Sequence, residues 1–164
     1  MTPCDDERES FGALLQQHRG IVFKVANSYA HDPEDRADLA QEIAAQLWKA
    51  WPKYDRSRLV TTWMYRIALN VAISQLRGRK LRDQHQVPLQ EDLHESGTGV
   101  EGPDHDVHVL QRLIAAMAPM DRALMLLYLD ERSHREIAEI LGISETNVAT
   151  KISRLKQRIR TELT

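Results

Sequence analysis

The sequence predicts an all-α protein in which two small helical domains, residues 8–82 and 107–163, are joined by a flexible acidic linker, residues 83–106. Apolar residues recur at helical spacing in both halves, and helix-favouring Ala, Leu, Gln, Arg and Glu are abundant while aromatic residues make up only 5%. Residues 83–106 break this pattern with two prolines and three glycines among acidic residues. A length of 164 residues suits two small domains.

Composition excludes several classes of protein. The single cysteine, Cys4, rules out an intrachain disulfide framework and a multi-cysteine zinc site. The first ten residues are acidic with no apolar stretch behind them, so we expect no secretory signal. The longest strongly apolar run, residues 123–129, is far shorter than the roughly 20 residues that span a bilayer. The sequence therefore predicts a soluble, cytoplasmic protein without membrane insertion.

The charge is distributed unevenly along the chain, although the net charge is only −2. Residues 55–82 carry seven basic residues and one acidic residue, and residues 132–164 carry seven basic and four acidic residues. Between them, residues 83–106 carry seven acidic residues and no Lys or Arg. Two basic segments indicate two surfaces for a polyanion, one on each domain. The alternative is that these segments are solvated helix faces.

Three helices are expected in the first domain. The first covers about residues 9–30. The second begins at Asp32 and Pro33, since Asp caps a helix well and Pro fits the first helical position, and it ends near Trp51 before Pro52. The third follows a loop at residues 53–60 and ends at about residues 77–80. The residues expected to face inward are Phe11, Leu14, Leu15, Val22, Val25 and Tyr29 in the first helix, Leu39, Ile43 and Leu47 in the second, and Trp63, Ile67 and Val71 in the third.

The second domain is predicted to end in a helix-turn-helix. Two helices at residues 107–117 and 121–130 come first, and Ser133 and Glu136 then form a capping box that opens a short helix ending at Leu141. Gly142 suits the left-handed turn, and Ser144 can cap the final helix. The apolar stripes expected on these two helices are Ile137, Ala138 and Leu141, followed by Val148, Ile152, Leu155 and Ile159.

The final helix carries a basic and polar face opposite its apolar stripe. The second helix of a helix-turn-helix enters the major groove of DNA, where Asn can bond adenine and Lys or Arg can bond guanine. The alternative is a helical hairpin with a solvated basic face. The residues of this face are Thr146, Asn147, Thr150, Lys151, Arg154 and Arg158.

Two further segments of the first domain are candidates for binding. Residues 56–82 interleave Trp63 and Tyr65 with basic residues, a pattern typical of single-stranded nucleic-acid binding, although the apolar stripe favours a core position for Trp63. The acidic helix around Asp38 and Glu42, which lie one turn apart, is either an exposed acidic face or a protein-docking patch. It has no neighbouring histidine or Gly-rich phosphate loop that would complete a catalytic or metal site.

The sequence contains three motifs in this order: Asp35-x-x-Asp38-Leu39-x-Gln41-Glu42, Trp63-Met64-Tyr65-Arg66-Ile67-Ala68-x-Asn70, and Glu136-Ile137-Ala138-Glu139-x-Leu141-Gly142-Ile143-Ser144. They resemble the motifs of RNA polymerase sigma factors, specifically the extracytoplasmic-function (ECF) group of the sigma-70 family, which keeps only regions 2 and 4. The resemblance covers about residues 8–163 and implies a non-enzymatic function: binding core polymerase and directing transcription initiation at promoters.

The resemblance also implies roles for individual residues. The acidic helix would dock on the β′ clamp helices of the polymerase, and its contact residues would be Asp35, Asp38, Leu39, Gln41 and Glu42. The minus-10 element would be held and melted by Arg56, Ser57, Arg58, Thr61, Thr62, Arg66, Asn70, Arg77, Arg79 and Lys80. The minus-35 element would be recognised by Arg132, Ser144, Thr146, Asn147, Thr150, Lys151, Arg154 and Arg158. The β flap and an anti-sigma factor are further implied partners.

Other functions are open from the residues alone. A stand-alone helix-turn-helix regulator would be a dimer with half-sites about 34 Å apart. An enzyme or metal protein could use His105-x-x-His108, but these histidines have no cysteine partner. The sigma-factor interpretation predicts a monomer with no catalytic residues, metal or cofactor. It also predicts that the linker leaves the free domains poorly oriented, so that the isolated chain binds DNA weakly.

Overall fold

The computed structural model describes residues 3–85 and 103–163, with side chains described for residues 5–78 and 105–163. All regular structure in these ranges is helical, which confirms the all-α prediction. The elements are α1 (Pro3–Gln17), α2 (Arg19–Tyr29), α3 (Pro33–Ala50), a 3-10 turn (Trp51–Lys53), α4 (Val60–His85), α5 (Pro103–Ala116), α6 (Pro119–Leu129), α7 (His134–Leu141) and α8 (Glu145–Leu163).

The first predicted helix is interrupted. Instead of one helix over residues 9–30, α1 and α2 are separated at His18, whose backbone has φ −113° and ψ 20°. The break lies two residues before Gly20, and glycine is a weak helix former. The apolar periodicity continues through the break, because Phe11, Val22 and Val25 are all buried.

Helices α2, α3 and α4 pack on one another to form the core of the first domain. The predicted stripe of α3 is confirmed, since Leu39, Ile43 and Leu47 are at most 3% exposed. Trp63, Ile67 and Val71 of α4 pack against the core as predicted, but they are only half-buried. The residues of α4 that are buried instead are Met64, Tyr65, Ala68, Leu69, Ala72 and Ile73.

Helix ends follow the predicted capping chemistry. Asp32 Oδ1 accepts a 2.7 Å hydrogen bond from the Asp35 amide at the start of α3. Ser133 Oγ accepts a 3.1 Å bond from the Glu136 amide, and Ser144 Oγ accepts a 3.1 Å bond from the Asn147 amide. Gly142 ends α7 with φ +71°, in the left-handed region. These caps fix the turn between α7 and α8, as a helix-turn-helix requires.

Helices α5 to α8 form the second group, with α6, α7 and α8 in mutual contact and α5 packed on α6 and α8. The buried stripe of α8 contains Val148, Ile152 and Leu155, as predicted, while Ile159 is half-buried. In α7 the buried residues are Ile137, Ala138 and Ile140, and Leu141 is half-buried. This packing turns the opposite face of α8 towards solvent.

The predicted linker, residues 83–106, is helical at both of its ends. Helix α4 continues to His85, and α5 begins at Pro103. Its remaining part, residues 86–102, lies outside the described residues, so its expected flexibility is a prediction. The expectation that the two domains are poorly oriented is wrong in this structure, because α6 and α7 pack against α4, and α6 also contacts α2.

Candidate nucleic-acid interface

The loop between the 3-10 turn and α4 is closed by its own hydrogen bonds. The Tyr54 hydroxyl donates to the Arg58 carbonyl at 2.5 Å, and Asp55 Oδ1 accepts from the Ser57 amide at 2.9 Å and the Ser57 hydroxyl at 2.6 Å. These bonds from Ser57, helped by the Arg58 charge, hold the pKa of the Asp55 carboxyl below its usual value. Arg56 and Arg58 are exposed on the outside of this closed loop.

An aromatic cluster supports the loop from beneath. The Tyr54 ring stacks on Trp51 at 5.7 Å and an interplanar angle of 16°, and it contacts Trp63 at 4.7 Å. Phe11 extends the cluster, with its centroid 5.7 Å from that of Trp51 and 5.2 Å from that of Trp48. Trp63 therefore lies within a packed ring cluster and is not a free stacking platform. Tyr54 was missed by sequence reasoning, because it lies in a loop, where no helical spacing relates it to Trp51, Arg58 and Trp63.

Helix α4 presents a polar face next to the loop. Arg66, Asn70 and Arg77 are exposed, and their offsets of four and eleven residues place them on one side of the helix. Thr61 is half-buried. Thr62 is a different case: it is 8% exposed, and its Oγ1 has no hydrogen-bond partner among the described residues. In this arrangement Thr62 therefore cannot contact DNA. The side chains of Arg79 and Lys80 lie outside the described ones.

Helix α8 presents the second polar face. Thr146, Asn147 and Arg154 are exposed, as are Thr150 and Arg158. Lys151 is half-buried, and the exposed Ser144 uses its hydroxyl to cap the helix. The Thr150 hydroxyl donates to the Thr146 carbonyl at 3.0 Å, which leaves its oxygen as an acceptor. The face is unobstructed, so it can enter a major groove.

Arg132 differs from the rest of the predicted minus-35 set. Its Nε donates to Asp130 Oδ2 at 3.0 Å, and its Nη1 lies 3.6 Å from Glu136 Oε2. The guanidinium also lies over the Tyr65 ring of the first domain, 5.4 Å from the centroid. Burial lowers the pKa of Arg132, but the hydrogen bond and charge of Asp130 outweigh burial and raise it overall. Arg132 therefore contacts residues of both domains.

Helix α3 exposes part of the predicted docking set. Asp38 and Gln41 are exposed, while Asp35 and Glu42 are half-buried, with Glu42 Oε1 accepting from Gln46 Nε2 at 3.0 Å. Leu39 is 3% exposed and belongs to the core, so its side chain is not available for a surface contact.

The described part of the chain gives no metal site, because no group of three or more His, Cys, Asp or Glu side chains there is placed to hold an ion. His105 and His108 lie with His31 on the wall of an open 820 Å³ cavity between α5 and the α2–α3 corner. Arg36 and Arg112 also line it. No helix in residues 3–85 or 103–163 is both long and apolar enough to span a bilayer.

The fold and the two polar faces define a two-domain helical DNA-binding protein, and comparisons with known proteins identify its family. Sigma-70 region 2 matches residues 14–82, and sigma-70 region 4 matches residues 108–159. The chain belongs to the sigma-70 family of RNA polymerase sigma factors, in the ECF group. It is therefore a factor for promoter-directed transcription initiation through RNA polymerase.

Individual relatives span nearly the whole chain. ECF RNA polymerase sigma factor SigM of Bacillus subtilis is 28% identical, with 90% of this chain and 91% of that protein covered. RNA polymerase sigma factor NccH of Alcaligenes xylosoxydans xylosoxydans is 25% identical, with coverages of 93% and 86%.

Two solved structures share the fold. One is RpoE in complex with the anti-sigma factor NepR from Bartonella quintana, with a TM-score of 0.72, 19% identity and coverage of 94% of this chain and 97% of that one. The other is CnrH in complex with the cytosolic domain of CnrY, with a TM-score of 0.69, 20% identity and coverages of 95% and 88%.

Proposed function

We propose that this sigma factor works through three separate faces. The exposed part of α3 docks on the β′ clamp helices of core polymerase, the loop at residues 54–59 and the polar face of α4 bind the minus-10 element, and α8 binds the minus-35 element. The observation that carries this proposal is that two exposed basic faces lie on different helical groups, each within its own sigma region.

The minus-10 face combines a closed loop with cationic side chains. Flipping a base out of the duplex costs a few kcal/mol, which a fitted pocket offsets. In this proposal the flipped base lies against the loop fixed by Tyr54 and Asp55, while Arg66 and Arg77 neutralise the phosphates and Asn70 bonds the base. Recognition of the open strand is then coupled to melting. Arg79 and Lys80 extend the same basic segment along the sequence.

The minus-35 face works on closed duplex. Thr146, Asn147 and Thr150 lie in the first two turns of α8, where a recognition helix approaches base edges. Lys151 and Arg154 can bond guanine or phosphate, and Arg158 lies far enough along the helix to contact the backbone.

Docking on polymerase sets the separation of the two DNA-binding faces. Asp38 and Gln41 provide an exposed polar surface on α3 for the β′ clamp helices, and the second domain contacts the β flap. The chain itself catalyses no reaction, and it acts in the cytoplasm, where bacterial polymerase is. An anti-sigma factor is the proposed regulator, since both solved structures of similar fold are sigma–anti-sigma complexes.

In vitro transcription tests the proposal. Bacterial core polymerase is assayed with and without this protein on a library of randomised promoters. We expect new start sites that share two unlike upstream elements. A folded chain that neither binds core nor yields new start sites would refute the proposal, and a symmetric DNA site bound by the isolated chain would point to a dimeric regulator instead.

A further inference from the structure

The open cavity of 820 Å³ between α5 and the α2–α3 corner has the size of a small-molecule site. Such sites measure roughly 300–1,000 Å³, and most of them are lined by apolar side chains. Here only Ile114 and Ala115 are apolar, and the other eight lining residues are polar. None of the described residues that line the cavity is Asp or Glu. The cavity therefore suits a polar or negatively charged molecule.

Helix α5 forms one wall with a row of nitrogen-bearing side chains. His105, His108 and Arg112 line the cavity and are exposed. Since His108 and Arg112 follow His105 by three and seven residues, the three side chains share one face of the helix. Seven residues of an α-helix rise about 10 Å. This wall can thus contact a ligand that carries more than one charged group.

The opposite wall contains an arginine that is held in position. Arg36 on α3 is half-buried, and its Nε donates a 3.0 Å hydrogen bond to the Ala30 carbonyl. The terminal nitrogens of an arginine form the fork that binds a phosphate group through two parallel hydrogen bonds. A donor that is fixed before binding loses less conformational entropy when the ligand binds. His31, which follows Ala30, adds a ring nitrogen to this wall.

The donor set favours an anion with several phosphate groups. Guanidinium groups donate hydrogen bonds and cannot accept them, and a neutral histidine donates through one ring nitrogen. Arg36 and Arg112 lie on walls from different domains, so an anion that contacts both needs at least two charged groups. The acidic residues Asp32 and Asp106 are neighbours of lining residues in the sequence, but neither lines the cavity, and Asp32 caps α3.

We infer that this cavity binds a compact polyphosphate anion, either inorganic or the phosphate chain of a nucleotide. Arg36 and Arg112 each bind a phosphate group, and the three histidines donate further hydrogen bonds. No residue assigned to DNA or to core polymerase lines the cavity, so the inference goes beyond the proposed function and does not depend on it. Because the anion binds the folded chain, it also stabilises the fold.

Calorimetric titration of the full-length protein with magnesium-free sodium pyrophosphate tests the site. At about 0.15 M salt, where exposed charges are screened, we expect saturable binding to wild type with a dissociation constant below about 1 mM. Arg112→Gln should weaken binding about tenfold to a hundredfold, because it removes charged hydrogen bonds. Arg112→Lys keeps the charge but loses the fork, and its affinity should lie between those of wild type and Arg112→Gln.

Two further variants establish where pyrophosphate binds. Arg19→Gln is the matched control, because Arg19 is exposed on α2 and does not line the cavity, and this variant should bind as wild type does. Arg154→Gln tests the basic face of α8 as the rival location. Absence of saturable binding to wild type, or equal losses in Arg19→Gln and Arg112→Gln, would overturn the inference. Binding that Arg154→Gln abolishes and Arg112→Gln leaves intact would overturn it as well.

Thermal unfolding gives an independent measurement and a check on folding. Pyrophosphate should raise the Tm of wild type and Arg19→Gln more than that of Arg112→Gln. Arg36→Gln probes the opposite wall but also removes the bond to the Ala30 carbonyl. If that variant unfolds, Arg112→Gln still decides the outcome, because Arg112 is exposed and its substitution leaves the core unchanged. Equal Tm shifts in wild type and Arg112→Gln would contradict the site.

A comparison of inorganic triphosphate with adenosine triphosphate distinguishes the two sources of the anion. Similar affinities would show that the phosphate groups alone are recognised, as the scarcity of apolar lining residues leads us to expect. Binding of the nucleotide that is tighter by about tenfold or more would identify a nucleotide as the ligand. Both results support the site when Arg112→Gln weakens binding of the two compounds, and unchanged affinities for both in Arg112→Gln would overturn it.

Discussion

Gly142 shows how one residue secures the turn of the helix-turn-helix. Its φ of +71° is costly for any residue with a Cβ, while an added Cβ would meet nothing within 4 Å. Gly142→Ala should therefore destabilise the protein through backbone strain alone, by about 1–2 kcal/mol, measured by urea unfolding. Gly12→Ala is the control: it lies in α1, also with open space around it, and should be neutral or stabilising by up to about 1 kcal/mol. Equal changes in stability for the two substitutions would contradict the assignment of backbone strain to position 142.

Tyr54 positions the minus-10 loop through a single hydroxyl. Tyr54→Phe keeps the ring contacts with Trp51 and Trp63 but removes the 2.5 Å bond to the Arg58 carbonyl. A neutral hydrogen bond contributes about 1 kcal/mol, so discrimination between matched and mismatched minus-10 elements should fall roughly fivefold in transcription assays. Discrimination at minus-35 should stay the same. Tyr128→Phe, on α6, serves as the control, and a uniform loss at both elements would argue against a positioning role.

The sequence predicts interactions between near neighbours better than those between distant residues. Asp32, Ser133 and Ser144 were predicted as caps because each binds an amide three residues away. Tyr65 and Asp130 are 65 positions apart, and Lys24 and Asp130 are 106 apart, so no local pattern relates them. Charge and polarity indicated where a polyanion could bind, but not that Arg132 would face another domain.

On α8, recognition of bases and binding to phosphates can be separated by position. Asn147→Ala should cost about 1–3 kcal/mol on the preferred minus-35 sequence and relax the preference at one base pair. Arg158→Ala should weaken binding on all sequences alike and reduce the salt-dependence slope by about one. Holoenzyme binding to a set of single-substitution minus-35 promoters, at several salt concentrations, measures both. Identical profiles for the two variants would refute the division of roles.

On α3, two adjacent predicted docking residues should behave differently. Asp38→Asn should lower core affinity about tenfold without changing stability, because the side chain is exposed and charged hydrogen bonds contribute about 1.5–3 kcal/mol. Leu39→Ala should instead destabilise the fold by about 2–5 kcal/mol, because it leaves a cavity in the core. Polymerase titration and thermal unfolding separate the two effects. Glu34→Gln, also exposed on α3, is the control for loss of a negative charge.

For individual elements, the sequence predicted that a segment is helical better than it predicted which face of the helix is buried. Helix α3 was predicted with its stripe because it buries one side only. The stripe predicted for α4 covers only part of its buried surface, because this helix packs on α2 and α3 and also on α6 and α7. A helix with neighbours on several sides buries Met64, Ala68 and Ala72 beside Tyr65 and Leu69, so a single stripe of large apolar residues does not mark its core face.

At the scale of the whole molecule, the docked state, in which α6 and α7 pack on α2 and α4, depends on the ionisation of Asp130, which accepts hydrogen bonds from Lys24 Nζ and the Tyr65 hydroxyl. Burial raises the pKa of this carboxyl, but hydrogen bonds from Lys24, Tyr65 and Arg132 outweigh burial and lower it below 3.8. Tyr65, packed against it, has a pKa raised above 10.0. Among the described residues, Glu136 also faces the cluster, through its contact with Arg132. Separation of the domains removes the Lys24 and Tyr65 bonds, so both pKa values then move back towards their ordinary range.

The sign of the pH dependence follows. A carboxyl whose pKa is lowered in the docked state stabilises that state at pH values above the ordinary carboxyl pKa, and this stabilisation is lost as pH falls through the lowered pKa. A tyrosine whose pKa is raised stabilises the docked state below the ordinary tyrosine pKa, and this stabilisation is lost as pH rises through the raised pKa. Energy transfer between dyes attached at Glu9→Cys on α1 and Gln157→Cys on α8, in protein carrying Cys4→Ser, should therefore be constant between about pH 5 and pH 9 and fall below about pH 4. Asp130→Asn should start lower and lose the acid step. An acid step of equal size in Asp130→Asn, with both domains still helical by circular dichroism, would assign the dependence to another group.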